Sequence, residues 1–93
     1  MLTVNEYFDG NVKSIALQTE TLPATVGVME AGDYEFGTSK KEVMTLVSGS
    51  MDVLLPGETE WKTFAQGESF EVAANVKFDV KTQGQVAYFC TYE

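Results

Sequence analysis

One carboxylate stands where an apolar strand begins. Glu42 follows the polar step Thr38-Ser39-Lys40-Lys41 and opens the run Val43-Met-Thr-Leu-Val-Ser48, whose apolar residues fall on both faces. A carboxyl group at the mouth of such a strand, beside hydroxyls and lysines, is where proton transfer or hydrogen bonding to a polar ligand is expected. The chain has no histidine, which removes histidine triads, zinc-hydrolase sites and the usual non-haem metal sites together. Its one cysteine, Cys90, alternates with Tyr88 and Tyr92 and reads as buried. With no histidine to activate it, this thiol is expected to be inert.

The stretch before Glu42 fixes how it is presented. From Asp33 to Thr38, Tyr34 and Phe36 point one way while Asp33, Glu35 and Gly37 point the other, the period of a half-buried strand. From Glu42 to Ser48, Val43, Thr45 and Val47 share one face and Glu42, Met44, Leu46 and Ser48 the other. That strand is expected at the centre of a small β domain, covered on both sides. Upstream, Thr3 and Glu6 have capping-box spacing, room for one helical turn at most, with Tyr7 and Phe8 as anchors for the arm. Strands are expected over 12–18 and 25–29, the second holding Gly27 at a point of close approach. Downstream, turn signals at Gly49, Pro56-Gly57, Gly67, Asn75 and Gly84 recur at the spacing of a sandwich or barrel. Pro56-Gly57 fits the second and third places of a type II turn. Val76, Phe78 and Val80 alternate with Lys77, Asp79 and Lys81, and Val86 to Tyr92 closes the chain. No helical period lasts three turns, so the expected fold is all-β.

A chain of 93 residues is read as a single domain spanning 1–93. Its 44% hydrophobic content argues for a packed core rather than disorder. No apolar run reaches the ~20 residues of a membrane span, and the start lacks the basic and apolar regions of a signal peptide. A net charge of −8, with no arginine, argues against nucleic acid as a partner. The single cysteine fits a reducing compartment, so a cytoplasmic location is expected. A core this small would gain from pairing, and a homodimer is expected.

The glycine spacing resembles that of the cupins, small double-sheet barrels of the jelly-roll type. Gly32, Glu42 and Gly49 keep the first cupin motif, with Thr38 and Lys40 near its two histidine places. In the second motif, from Gly67, Ala73, Asn75 and Phe78 stand at the proline, glycine and histidine places. A cupin-type jelly-roll β-barrel without its metal is what this resemblance implies. A closer one follows from Asn5-Glu-Tyr-Phe8, Val12-Lys-Ser-Ile15, Val26-Gly-Val-Met29, Gly32-x-Tyr-x-Phe36, Glu42-x-Met-Thr45 and Ser48-Gly49. With Trp61, Phe78 and the ending Tyr88-x-Cys90-x-Tyr92, these resemble the small cupin-like pyrimidine/purine nucleoside phosphorylases. The match is poorest over 18–24 and 57–60.

The activity that resemblance implies is phosphorolysis of purine and pyrimidine nucleosides to free base and pentose 1-phosphate. The implied transferase is metal-free, with no cofactor besides inorganic phosphate as co-substrate. Phosphate needs a cation and N–H or O–H donors, for which Lys13, Thr38, Ser39 and Lys40-Lys41 are candidates, Lys13 first. Glu42 is expected to accept from ribose hydroxyls or to act as general acid toward the leaving base. Tyr34, Phe36, Phe78 and Tyr92 are candidates for stacking the base. Glu42 and Lys13 are thus the expected catalytic pair. Bland alternatives stand beside each: Glu42 as a partner of backbone N–H groups, Lys13 as an edge lysine, and the aromatics as core. A non-catalytic module that binds a sugar or nucleoside is the alternative function.

Overall fold

The computed structural model describes residues Met1–Glu93 and contains ten strands and no helix. In order these are β1 (Val4–Tyr7), β2 (Val12–Gln18), β3 (Pro23–Met29), β4 (Gly32–Gly37), β5 (Glu42–Ser48), β6 (Ser50–Leu54), β7 (Lys62–Ala65), β8 (Ser69–Val72), β9 (Lys77–Thr82) and β10 (Val86–Tyr92). They pair into a six-stranded sheet, β1-β2-β3-β10-β5-β8, and a four-stranded sheet, β4-β9-β6-β7. All pairings are antiparallel. The sheets face each other as an open double layer rather than one closed barrel. No helix of the chain is long and apolar enough to cross a membrane.

Alternation puts Met44 and Leu46 of β5, Met51 and Val53 of β6, Phe78 and Val80 of β9 and Val86 and Tyr88 of β10 between the sheets, all buried. A file of rings runs through this layer. Phe36 lies 5.7 Å from Phe78, Phe78 6.3 Å from Phe70, and Phe70 4.7 Å from Phe64, centroid to centroid. Such spacings are attractive beyond the area they bury. The Pro56-Gly57 turn forms as expected: Gly57 has φ 76°, and Glu58 N donates to Leu55 O at 3.1 Å.

Two expectations are corrected. The arm at 4–7 is a strand, not a helical turn. Phe8, Asp9 and Gly10 all take positive φ, and the turn closes through Gly10 N to Tyr7 O at 3.1 Å. The arm then folds back on β2, Val4 opposite Ile15 and Tyr7 opposite Val12. A single helical turn has one hydrogen bond to offset its nucleation cost, whereas the hairpin joins an existing sheet. The second correction concerns β5, which is covered on one face only. Val47 is exposed, as are Ile15, Val26 and Val28 on neighbouring strands, because no layer lies on the outer face of the larger sheet.

Candidate functional site

Between the sheets lies a cavity of about 510 Å³, within the size range of small-molecule sites. Cross-strand register lays out its floor. Glu42 stands opposite Tyr92, Met44 opposite Cys90, and Leu46 opposite Tyr88. Tyr88 in turn faces Gly27, and Gly27 faces Ser14. The opposite wall is Phe36 and Phe78, while Tyr7, Phe8, Glu35, Gly37, Ser39 and Lys40 form an exposed rim. Phe8 is held there by Tyr34 and Phe36, at 5.0 and 5.5 Å. The arm is therefore anchored as expected, and it also lines the cavity.

Glu42 is half-buried, and Cys90 Sγ donates to its Oε1 at 3.5 Å. Burial raises its pKa above the ordinary 4.5, and the Cys90 donor opposes this. The Cys90 thiol is pushed up to about 12 by burial and then by the Glu42 charge, which makes it a hydrogen-bond donor rather than a nucleophile. Tyr92 donates to or accepts from Thr25 Oγ1 at 2.9 Å, and burial raises its phenol strongly.

The structure gathers Glu42, Ser39, Phe36, Phe78 and Tyr92 around this cavity. It does not bring Lys13, Thr38 or Tyr34 there. Lys13 lies between the inward Val12 and Ser14, so it points outward and pairs with Glu6 at 3.5 Å. The Thr38 hydroxyl is buried and serves the backbone, donating to Ala73 O at 2.7 Å and accepting from Val76 N at 3.1 Å. Tyr34 turns its hydroxyl to Glu30 O at 2.7 Å and belongs to the core. Lys41 also leaves the cavity, held by Glu93 at 3.2 Å and Glu71 at 3.7 Å. Lys40 is thus the one lysine lining the cavity. Ser14, Tyr88, Met44, Tyr7 and Glu35 also line the cavity, and the sequence assigned none of them a role in the site. The signal for Ser14 was a lone hydroxyl on the inward face of β2.

No group of three or more histidine, cysteine, aspartate or glutamate side chains comes together in a way that could hold a metal ion. The donor set of the cavity is instead the half-buried Glu42 carboxyl, the exposed Glu35 carboxyl at the rim, one lysine, one thiol, and serine and tyrosine hydroxyls among aromatic rings. Such a set has the chemistry to hydrogen-bond and protonate a polar organic molecule.

Two facing antiparallel sheets around a side-chain-lined cavity define a cupin-like fold. An RmlC-like cupin from Shewanella frigidimarina superposes with a TM-score of 0.76 at 21% identity, over 98% of this chain and 82% of that one. Within that fold the chain belongs to the pyrimidine/purine nucleoside phosphorylase family, whose model matches residues 2–92. A pyrimidine/purine nucleoside phosphorylase from Marinobacter nauticus is 65% identical over 99% of both chains. A solved Vibrio parahaemolyticus protein of unknown function is 40% identical, with a TM-score of 0.95 over 100% of this chain and 99% of that one.

Proposed function

We propose that this chain catalyses phosphorolysis of purine and pyrimidine nucleosides, giving free base and pentose 1-phosphate, with side chains alone and inorganic phosphate as co-substrate. The observation that carries the reading is a half-buried carboxyl and a single lysine sharing one aromatic-walled cavity, in a chain of this family. A phosphate oxygen attacks the anomeric carbon as the glycosidic C–N bond breaks. The bonding pair passes to the base nitrogen, which takes a proton from the Glu42 carboxyl. Phosphate then returns a proton to Glu42. Phe36 and Phe78 offer faces on which any base can stack.

The test is release of base from uridine and adenosine, with and without phosphate, after chelator treatment. Release that needs phosphate and survives chelation is the expected result. Tight nucleoside binding with no release would make the chain a binding module instead.

Lys40 replaces Lys13 as the phosphate ligand in this reading. Lys40→Ala is expected to raise KM for phosphate by about 10-fold or more, the worth of a charge-assisted hydrogen bond. Lys13→Ala is expected to leave the rate unchanged. The opposite pattern in steady-state kinetics would reverse the assignment.

We also propose that two copies pair through the outer face of the six-stranded sheet. Ile15, Val26, Val28 and Val47 are exposed there, with Lys13 and Glu6 paired toward one edge. For a chain of charge −8, a centre free of carboxylates is where two copies meet with least repulsion. Strand spacing and rise give the face a flat footprint of roughly 550 Å², which side-chain relief carries toward the ~800 Å² per partner of a standard interface. Val26→Asp is expected to convert a dimer to a monomer on size exclusion with light scattering. A wild-type monomer, or a dimer untouched by this substitution, would refute the pairing.

A further inference from the structure

The cavity has a second polar end that the reaction above leaves unused. Tyr88 is four residues before Tyr92 on β10, so their Cα atoms are about 13 Å apart at strand rise. Glu42 and Tyr92 share one end of the floor, with Ser39 and Lys40 on the rim. The other end is Ser14 and Tyr88, both nearly buried at 3% and 6% exposure, with Tyr7 above them. Tyr88 does not stand up from the sheet but lies across Gly27 toward Ser14.

The hydroxyls at this end differ from the other buried phenols. Tyr92 is engaged by Thr25 and Tyr34 by Glu30 O. Ser14 lies close enough to Tyr88 to moderate its phenol, which burial pushes up to about 12. Neither hydroxyl is sealed away from a partner, and the cavity is their outlet. Two buried hydroxyls opening into an aromatic-walled space, at the other end of the floor from Glu42 and Tyr92, are placed to meet the far edge of whatever stacks between.

We infer that Ser14 and Tyr88 form the subsite for the base edge, and that their hydroxyls let one site accept both oxo and amino bases. The inference rests on the phosphorolytic reading, which puts sugar and phosphate at the Glu42–Lys40 end and so the far edge of the base at Ser14–Tyr88. Uracil and hypoxanthine present an oxo acceptor where cytosine and adenine present an amino donor. A carboxamide or a carboxylate fixes which of these it prefers. A hydroxyl both donates and accepts, and its hydrogen rotates to suit. Two adjacent hydroxyls therefore satisfy either edge without leaving a buried group unpaired, the usual source of strong rejection.

The test compares the double variant Ser14→Ala/Tyr88→Phe with the unmodified chain on inosine, adenosine, uridine, cytidine and purine riboside, which lacks a 6-substituent. Both substitutions keep shape and remove only hydroxyls. The expected result is a loss of about 10- to 100-fold in kcat/KM for the four substituted nucleosides, with purine riboside within about threefold and KM for phosphate unmoved. Equal losses on all five, or none, would overturn the inference. Calorimetric binding of hypoxanthine and uracil gives a readout independent of turnover, with about 10-fold weaker binding expected for the variant. If the unmodified chain releases no base, phosphorolysis fails and calorimetry alone decides. Weakened binding in the variant then supports the hydroxyl pair, while equal binding, or none to the unmodified chain, overturns it.

Discussion

Glu42→Gln is expected to lower kcat for uridine phosphorolysis by at least about 100-fold, the lower end of what a placed general acid supplies. Glutamine keeps the shape and can still accept from Cys90 Sγ, but it carries no transferable proton. The wild-type rate should fall as pH rises, because only protonated Glu42 donates. Desolvation places that limb above the ordinary 4.5, and the variant's residual rate should lack it. Stability gives a second sign. A carboxyl whose native pKa is raised binds its proton more tightly folded than unfolded. Its contribution is fully present below 4.5 and is lost as pH rises toward the native value. Thermal melts at about pH 4 and about pH 8 should therefore show the variant gaining on the wild type at the higher pH. A variant that turns over at the normal rate would reduce Glu42 to a partner for the Cys90 thiol.

Much of this site was legible because a strand has period two. The alternation that predicted strands at 12–18, 42–48 and 86–92 also put Glu42, Met44 and Leu46 on one face, and the cavity opens on that face. The same alternation contained the answer on Lys13: if Val12 and Ser14 face in, Lys13 faces out. Thr38 and Tyr34 went elsewhere for reasons no local pattern holds. Ala73 and Val76 carbonyls reach Thr38 only once β9 pairs with β4, and Glu30 O is near Tyr34 only after the intervening turn closes. Ser14 and Tyr88 meet across an intervening strand and lie at opposite ends of the chain. Only Gly27, flagged as a point of close approach, hinted that something crosses there.

Gly27→Ala tests that crossing, and its effect on the site is expected to exceed its effect on the fold. A Cβ at this position would collide with the Tyr88 side chain, 2.6 Å from Cε1 and nearer still to Cζ and the hydroxyl. The backbone there is ordinary for a strand, so the conflict is steric and specific to Tyr88. Moving the ring would cost about 1–3 kcal/mol as overpacking and lift the phenol away from Ser14. Nucleoside binding by calorimetry should weaken about 10-fold or more, while circular dichroism stays that of a β protein. A double-mutant cycle isolates the cause. With Tyr88→Ala in the background nothing remains to collide, so adding Gly27→Ala should cost under about 0.5 kcal/mol in urea unfolding. The coupling between the two sites should then reach about 1–2 kcal/mol. If Gly27→Ala alone melts and binds like the wild type, Tyr88 is free to leave the glycine. The base-edge subsite then loses the feature that fixes its geometry. If the two costs simply add, the strain lies in β3 itself, and Gly27 serves the sheet rather than the cavity.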